Sequence, residues 1–333
     1  MNLVKSLMGI VVLAVAGWLL LTLLQPQAVA EARAFTSSQQ CADCHQGVYD
    51  EWASSEHANS WTGEDVRALS NDFANKDCID CHAPRPLFET GVGERVMPRS
   101  SRRVEGVDCL TCHLLPDGGV AGTLASGTAA CRPVEKRELA RVDMCVSCHD
   151  QHETVRQWRE TDYPERGIDC MTCHMPFRDG DPAKGRDHRC LGGHSIELVR
   201  TAVELRGEAN PEGGWTIEVE NVNGGHHFPT DERSRAADVF WRPLADAGEE
   251  SGRWFHLYRF RSPYRDEVDV PDTLLPYGET RTIALDHEGP VEVGLWYNLR
   301  PVYLDEQTAQ PLPLDQVLDP EPEARVVYKL DLR

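Results

Sequence analysis

Apolar and polar positions alternate along the second half of the chain, which predicts β-strands there. The alternation begins at Ile196 and Leu198, continues through Val203 and Leu205, and is regular over residues 215–222. Similar runs lie at 237–241, 254–260, 280–285, 291–296 and 325–332, separated by Gly, Pro and Asp. A period of two residues is typical of half-buried strands. About seven short strands are therefore predicted, arranged as an all-β, sandwich-like domain.

The first half lacks this alternation and predicts short helices and loops. Helical patterns cover 48–60 and 143–159, and the second of these is predicted as one continuous helix. The pattern changes after His194, so we expect a mainly α and loop domain at 31–194 and the β-domain at 195–333. The predicted fold class is α+β, in more than one domain.

Residues 1–30 form a separate segment. One lysine precedes an apolar run at 7–24, and a Gln-Pro pair and Ala28-Val29-Ala30 follow it. This order is typical of a signal peptide with its cleavage site. A run of 18 residues also reaches the length needed to span a bilayer. The segment is thus a cleaved signal or a retained membrane anchor, and both readings place the remaining chain in the periplasm or outside the cell.

Composition indicates a large cofactor and an acidic surface. Aromatic residues make up only 7% of the 333 residues, which is little packing material unless a flat cofactor fills the interior. The 34 basic and 54 acidic residues give a net charge of −20. This charge excludes a nucleic-acid surface and favours a partner with a basic docking patch.

Ten of the twelve cysteines belong to one repeated motif, Cys-x-x-Cys-His. Its five copies are Cys41-x-x-Cys44-His45, Cys78-x-x-Cys81-His82, Cys109-x-x-Cys112-His113, Cys145-x-x-Cys148-His149 and Cys170-x-x-Cys173-His174. An even number of cysteines in an exported chain would by default suggest disulfides. The histidine that directly follows every pair opposes that default, because this pentapeptide is the signature of covalent haem attachment.

The spacing has a physical reason. Two cysteines three positions apart on a helical turn share one face and can form thioethers with the same porphyrin, while the histidine ligates the iron. A zinc site would instead combine one Cys-x-x-Cys pair with a second pair of cysteines or histidines. We therefore expect five covalent haem c groups, with His45, His82, His113, His149 and His174 as proximal ligands.

Eight further histidines remain that could supply the second axial ligands. His57, His152, His188 and His194 are candidates because they lie close to haem motifs in the sequence. On the predicted continuous helix, His152 shares a face with His149 and must serve a neighbouring haem. Met171 and Met175 adjoin a motif and cannot easily reach the opposite face of its haem, so bis-histidine coordination is expected. Cys131 and Cys190 are left over, as a mutual disulfide or as two buried thiols.

These motifs resemble the multihaem cytochromes c related to the tetrahaem electron acceptor of hydroxylamine oxidoreductase. The resemblance covers residues 41–194 and rests on the first motif with Trp52-x-x-Ser55-x-His57-Ala58, Gly106-Val107-x-Cys109, Gly167-Ile168-x-Cys170, Cys173-His174-Met175-Pro176, and His188 with Gly192-Gly193-His194. Many relatives add a β-domain with a Gly-His-x-Phe-Pro-Thr-Gly signature, which Gly225-His226-x-Phe228-Pro229-Thr230 matches until Asp231 replaces the last glycine. The resemblance implies distal-ligand roles for His57, His188, His194 and His226, rather than its neighbour His227, and with His152 this gives five candidates for five irons.

Two hypotheses about function follow. The favoured one is an electron carrier that links redox partner proteins through five bis-histidine haems, with the β-domain as a docking face and no catalytic residue. The alternative is an oxidoreductase acting on a small nitrogen or sulfur compound at one five-coordinate haem, with His227, Arg102 or Arg103 beside it. The lysine-containing motif of the pentahaem nitrite reductases does not occur in this sequence. Filament-forming relatives borrow a distal histidine from the next subunit; a full internal set makes this unnecessary but leaves oligomerisation open.

Overall fold

The computed structural model describes residues 35–230, 234–244, 252–264, 267–300, 302–304, 307–308 and 310–333. The predicted signal or anchor at 1–30 lies outside these ranges, as does Asp231, the residue at the position of the last glycine of the signature. Within them, no helix combines the length and the apolar character that a membrane crossing requires.

Short helices joined by long loops make up the first part of the chain. The helices are α1 (Gln39–Ala53), α2 (Glu56–Asn59), α3 (Glu64–Leu69), α4 (Asp77–His82), α5 (Leu87–Thr90), α6 (Cys109–His113), α7 (Asp143–His149), α8 (Thr154–Arg159), α9 (Cys170–His174) and α10 (Ile196–Ala202). Single 3₁₀ turns lie at Arg103–Glu105, Arg137–Ala140, Asp150–His152, Arg178–Gly180, Pro182–Lys184 and Leu314–Gln316. A two-residue parallel ladder joins β1 (Ala121–Gly122) to β2 (Val134–Glu135).

The predicted helices are interrupted where local capping competes with helix continuation. The predicted segment 48–60 is divided between α1 and α2, because the Ser55 hydroxyl accepts a hydrogen bond from the Ala58 N–H at 3.3 Å and begins a new helix. The continuous helix predicted for 143–159 is wrong. A 3₁₀ turn follows α7, and Glu153, with φ 62°, separates it from α8. His152 therefore does not lie on a continuous α-helix with His149.

Seven strands in the described second half form two antiparallel sheets. They are β3 (Val203–Ala209), β4 (Trp215–Asn221), β5 (Ala236–Pro243), β6 (Phe255–Phe260), β7 (Thr280–Leu285), β8 (Val291–Asn298) and β9 (Arg325–Leu332). One sheet has the order β3-β4-β7 and the other β6-β5-β8-β9. Residues 196–202 are predicted to begin the strand pattern but form α10. Ile196, Val199 and Ala202 follow a helical spacing and pack against the apolar core of the β-sheets.

The two sheets share one apolar core, which gives this part its sandwich-like packing. Ile217 and Val219 of β4 face Val239 of β5 and Val293 of β8 within a single cluster of buried side chains. The alternation predicted for 215–222 appears in β4, whose Trp215, Ile217, Val219 and Asn221 are buried. A second cluster, centred on Phe240 and including Trp296, covers the other face of the four-stranded sheet.

A buried carboxylate stabilises this second face. Asp238 of β5 is fully buried and accepts hydrogen bonds from Arg259 Nε at 2.7 Å, from the Tyr303 hydroxyl at 3.0 Å and from Asn298 Nδ2, with His256 Nε2 at 2.8 Å. Burial alone would raise the pKa of Asp238, but Arg259 and His256 outweigh it and hold the pKa at about 2. The carboxylate thus connects β5 with β6, β8 and the loop around Tyr303.

We expect Asp238→Asn to lower the free energy of unfolding by about 3–5 kcal/mol at neutral pH, because it leaves Arg259 buried without its carboxylate. Glu220→Gln, which removes the exposed partner of Arg206, should cost about 0–1 kcal/mol. The folded-state pKa of Asp238 is depressed, so its contribution is present above the ordinary carboxyl pKa of about 3.9 and is lost as the pH falls toward 2. Denaturant unfolding of the haem-loaded protein at several pH values measures this; a cost that stays constant down to pH 2 would contradict it.

Candidate haem sites

All five Cys-x-x-Cys-His motifs lie on helices. The second to fifth motifs occupy α4, α6, α7 and α9, each of which ends at the motif histidine, and α1 carries the first motif with non-helical angles at His45. A helical turn places both cysteines of a motif on one face and the histidine directly after them. This is the arrangement that the sequence analysis expected for attachment of one porphyrin.

Two of these helices begin with the same capping box. The Asp108 carboxylate accepts a hydrogen bond from the Thr111 N–H at 2.7 Å, and Asp169 does the same for Thr172 at 3.0 Å. In both boxes the threonine side chain also contacts the N-cap backbone. The sequence signal is Asp-Cys-x-Thr-Cys-His, which the sequence analysis did not single out.

A second pattern recurs in the structure, and the sequence resemblance contained only its first copy, Trp52-x-x-Ser55. The Trp52 indole donates to the Val107 carbonyl at 2.8 Å, two residues before the third motif, and Trp158 donates to Ile168 at 3.0 Å, two residues before the fifth. The Ser55 and Thr161 hydroxyls donate to the carbonyls of those same tryptophans. The signal is Trp-x-x-Ser/Thr, and it indicates that a helix following one motif anchors the start of another.

In five histidines, the ring Nδ1 lies within hydrogen-bonding distance of a backbone carbonyl oxygen. The partners are Ser60 O for His82 at 2.7 Å, Ala121 O for His113 at 2.9 Å, Leu191 O for His174, Arg186 O for His188 at 2.8 Å and His227 O for His226 at 2.9 Å. An imidazole that donates its Nδ1 proton to a carbonyl presents the lone pair of Nε2 to a metal. Three proximal candidates and two distal candidates therefore have the tautomer that an iron ligand needs.

Two pairs of histidine rings lie at a centroid distance that suits two ligands of one iron. The ring centroids of His57 and His149 are 6.1 Å apart, and those of His174 and His226 are 6.4 Å apart. With metal–nitrogen bonds of about 2.0 Å and a centroid roughly 1.1 Å behind each nitrogen, two imidazoles on one metal are about 6.2 Å apart. Residues from distant parts of the chain thus form two pairs that fit a haem iron.

Burial favours the neutral form of four ligand candidates, His57, His113, His188 and His226. Burial is the main cause that lowers the pKa of His57 to about 4, and nearby His149 adds to it. Burial likewise lowers the pKa of His226 to about 4 and depresses the pKa of His113 and His188. A neutral imidazole is the form that binds a metal, so the environment suits the proposed chemistry.

The remaining distal candidates lie in different surroundings. His188 is close enough to His113 to depress its pKa, and His152 lies near Cys81 of the second motif. The ring of His194 lies between two charged side chains, with Nδ1 3.4 Å from Glu56 Oε1 and Nε2 3.5 Å from Arg235 Nη2. His194 is thus placed where the first part of the chain meets the β-sheets.

The loop that carries His226 is held from both sides. Asn221 Nδ2 donates to the His226 carbonyl at 2.8 Å, and Gln157 Oε1 accepts from the His227 N–H at 3.1 Å. Gly225 has φ 67°, and a Cβ there would lie 2.8 Å from the Tyr163 ring. Only glycine suits this position, which explains the first residue of the Gly-His-x-Phe-Pro-Thr match.

Cysteines of different motifs lie next to each other and so give the order of the motifs in space. The side chains of Cys41 and Cys109 are within hydrogen-bonding reach, as are Cys81 with Cys148 and Cys145 with Cys170. Cys112 in turn lies near Cys145 and Cys148. These sulfurs are thioethers once haem is attached. The motifs therefore follow the order first, third, fourth and fifth, with the second beside the fourth.

Cys131 and Cys190 are not bonded to each other. Cys131 lies near Cys41 of the first motif, and Cys190 lies near Cys112 of the third. Both are partly exposed, so neither the predicted mutual disulfide nor the predicted pair of buried thiols matches the structure.

Comparison with known proteins agrees with a multihaem cytochrome c. Residues 40–114 match the family model described as cytochrome c554 and c-prime. The fold is similar to the crystal structure of a penta-heme cytochrome c552 from Thermochromatium tepidum, with a TM-score of 0.60 and 18% identity over 89% of this chain and 98% of that chain. A search of curated proteins gave no match. The resemblance to c554-type cytochromes is confirmed, and these findings support covalent haem c and electron transfer.

The two capping boxes provide a matched test of how the motif helices are stabilised. Asp169→Ala should cost about 1 kcal/mol of unfolding free energy, the usual effect of losing an N-cap. Asp108→Ala should cost several times more, on the order of 3–5 kcal/mol, because Asp108 is buried and also pairs with Arg99 and Arg102. Denaturant unfolding of the haem-loaded variants measures both. Equal losses would show that the arginines contribute nothing through Asp108.

Proposed function

We propose that this chain is an exported pentahaem cytochrome c that passes electrons between redox partner proteins, with two histidine ligands on each haem. The single observation that carries the proposal is the spacing of the His57 ring from His149 and of the His174 ring from His226, which suits two ligands of one iron. An iron with an imidazole on both faces has no position left for a substrate, which is the arrangement of a carrier. The family match and the pentahaem structural neighbour support haem c in this role.

The residues divide the work of holding the cofactors. The five cysteine pairs hold the haems covalently, and His45, His82, His113, His149 and His174 are the proximal ligands. We assign His57 to the fourth motif, His226 to the fifth and His188 to the third, which its effect on His113 supports. The nearness of His152 to Cys81 favours the second motif and leaves His194 for the first. Haem iron supplies one-electron chemistry, while the protein sets spacing, ligands and burial.

The order of the motifs supports transfer along a series rather than through isolated centres. Contacts between Cys41 and Cys109, and between Cys145 and Cys170, connect the first motif with the third and the fourth with the fifth. Cys112 lies near Cys145 and closes the remaining gap. Haems attached to cysteines this close would also lie close to each other. The first and fifth motifs thus end the series, the second motif is a branch beside the fourth, and we place the exchange of electrons with partners at these three terminal motifs.

A second candidate function is reduction or oxidation of a small nitrogen or sulfur compound at one five-coordinate haem. The surroundings of His194 favour it, because Glu56 and Arg235 face its two ring nitrogens. If these contacts keep His194 away from the iron, the haem of the first motif has only one axial ligand. The carrier remains the first choice, since the two facing pairs are the clearest geometry in the structure.

The setting of the protein is part of the proposal. The signal-like order at 1–30 supports export to the periplasm or beyond, with the same segment as either a cleaved signal or a membrane anchor. The net charge of −20 supports a redox partner with a basic patch. N-terminal sequencing of the exported protein distinguishes signal from anchor, and the salt dependence of the electron-transfer rate tests the charge of the partner.

Spectroscopy of the purified protein separates the two functions. We expect low-spin signals alone in EPR of the oxidised protein and no binding of carbon monoxide by the reduced protein, because all five irons would have two histidines. A high-spin EPR signal from one haem per chain in the oxidised protein, together with carbon monoxide binding by one haem per chain after reduction, would instead favour the second candidate. Mass spectrometry of the same sample counts the attached haems and should give five.

Neighbouring histidines provide a matched test of one ligand assignment. His226→Ala should convert one low-spin haem to high spin and open it to carbon monoxide, because His226 faces His174. His227→Ala is the control, since it removes the adjacent imidazole and leaves the facing pair intact. His57→Ala should open a different haem, that of the fourth motif. Five low-spin haems in the His226→Ala variant would remove His226 from the ligand set.

A further inference from the structure

Ser60 lies where the surroundings of three haem motifs meet. Its hydroxyl is 2.8 Å from the His57 carbonyl and 3.0 Å from the His82 carbonyl, and it accepts a hydrogen bond from the Val107 N–H at 3.0 Å. Its own carbonyl is 2.7 Å from His82 Nδ1. Ser60 therefore contacts the backbone of His57 in α2 and both the ring and the backbone of His82 in the second motif. It also contacts the backbone of Val107, just before the third motif.

The approach of the third motif to Ser60 is unusually close. The Val107 N–H also donates to the His57 carbonyl at 2.9 Å. Gly106, with φ 58°, passes so near that a Cβ there would lie 2.6 Å from the Ser60 hydroxyl and 2.6 Å from the Ala58 carbonyl. A glycine is required by this contact as well as by its backbone angle. The packing leaves Ser60 no room to move independently of its neighbours.

Aromatic stacking fixes the other side of His82. Trp61 stacks on Phe73 with ring centroids 4.3 Å apart and planes 6° from parallel, and the edge of Phe73 meets the His82 ring at 5.6 Å. Arg67 and Arg103 cover Trp61 at 4.7 and 5.2 Å from its centroid. The His82 ring is thus held between the Ser60 carbonyl and the Phe73 ring. Phe73 in turn stacks on Trp61, which directly follows Ser60 in the sequence.

We propose that Ser60 is a positioning residue that couples His57 with His82, so that the haems of the fourth and second motifs are adjusted together. The inference rests on the proposed function, in which His57 and His82 ligate those two irons. A hydrogen bond to the outer nitrogen of a ligating imidazole fixes its orientation and raises its basicity. Because one hydroxyl contacts both carbonyls, a displacement of Ser60 reaches both imidazoles. Contact between Cys81 and Cys148 shows that the two motifs are neighbours, so joint adjustment acts on adjacent centres.

The test is Ser60→Ala in the haem-loaded chain, with EPR and a spectroelectrochemical redox titration as readouts. We expect two of the five haems to change their g-values and midpoint potentials while the other three stay constant and all five remain attached. Ser60→Thr, which keeps the hydroxyl, should restore the wild-type values. Thr161→Ala is the matched control, because it removes a hydroxyl that likewise donates to a backbone carbonyl, that of Trp158, and not to His57 or His82.

A second background identifies the two haems. In a His57→Ala protein, where the haem of the fourth motif is already high-spin, adding Ser60→Ala should shift only one low-spin haem. A change confined to one haem in the wild-type background, or no change at all, would overturn the coupling and leave the ligand assignments standing. If His57→Ala itself opened no haem, the proposed function would fail instead. Should Ser60→Ala not accumulate, Gly106→Ala displaces the same contact from the opposite side and should shift the same two haems.

Discussion

In the proposed function, the pairing of two imidazoles across a single iron is the constraint on which the first part of the structure depends. A porphyrin bound by one motif can be completed only by a histidine that arrives from elsewhere, and that histidine must lie about 6 Å away with its outer nitrogen occupied. His57 reaches His149 and His226 reaches His174 across long stretches of chain. Each facing pair therefore closes a large loop, and short helices that would be marginal alone are held in place by ligands and cofactors.

This constraint explains how the β-sheets and the motif helices depend on each other. The sheets have an apolar core of their own, shared by β4, β5 and β8, and do not need a cofactor to bury their strands. They nevertheless present His226 on a loop that Asn221 holds from the sheet side and Gln157 from α8. Arg300 adds a further connection, donating to Asp65 of α3 at 3.0 Å. The second part of the chain thus supports the loop that carries His226 and contacts α3 and α8 of the first part.

Individual side-chain contacts set the finer positions. Asp108 and Asp169 start two motif helices, and Trp52 and Trp158 anchor the residues just before those helices. Glycines allow close approach where a loop passes a ligand, as Gly225 does beside Tyr163. Such contacts are worth about 1 kcal/mol each, but they decide ring orientation, and the orientation of an axial ligand affects the properties of a haem.

The sequence alone determined the chemistry and the classes of structure. Cys-x-x-Cys-His is a local motif whose function depends on neighbouring residues, so its five copies and their proximal histidines could be identified without a fold. Alternation in 215–222 likewise predicted β4, because a strand with one buried face has a period of two. Only the tertiary structure decided which distal histidine faces which motif, since this depends on loops whose path no local pattern encodes. The two errors have different causes: at 143–159 a left-handed Glu153 interrupts the helix locally, whereas at 196–202 Val199 packs on the core of the distant β-strands.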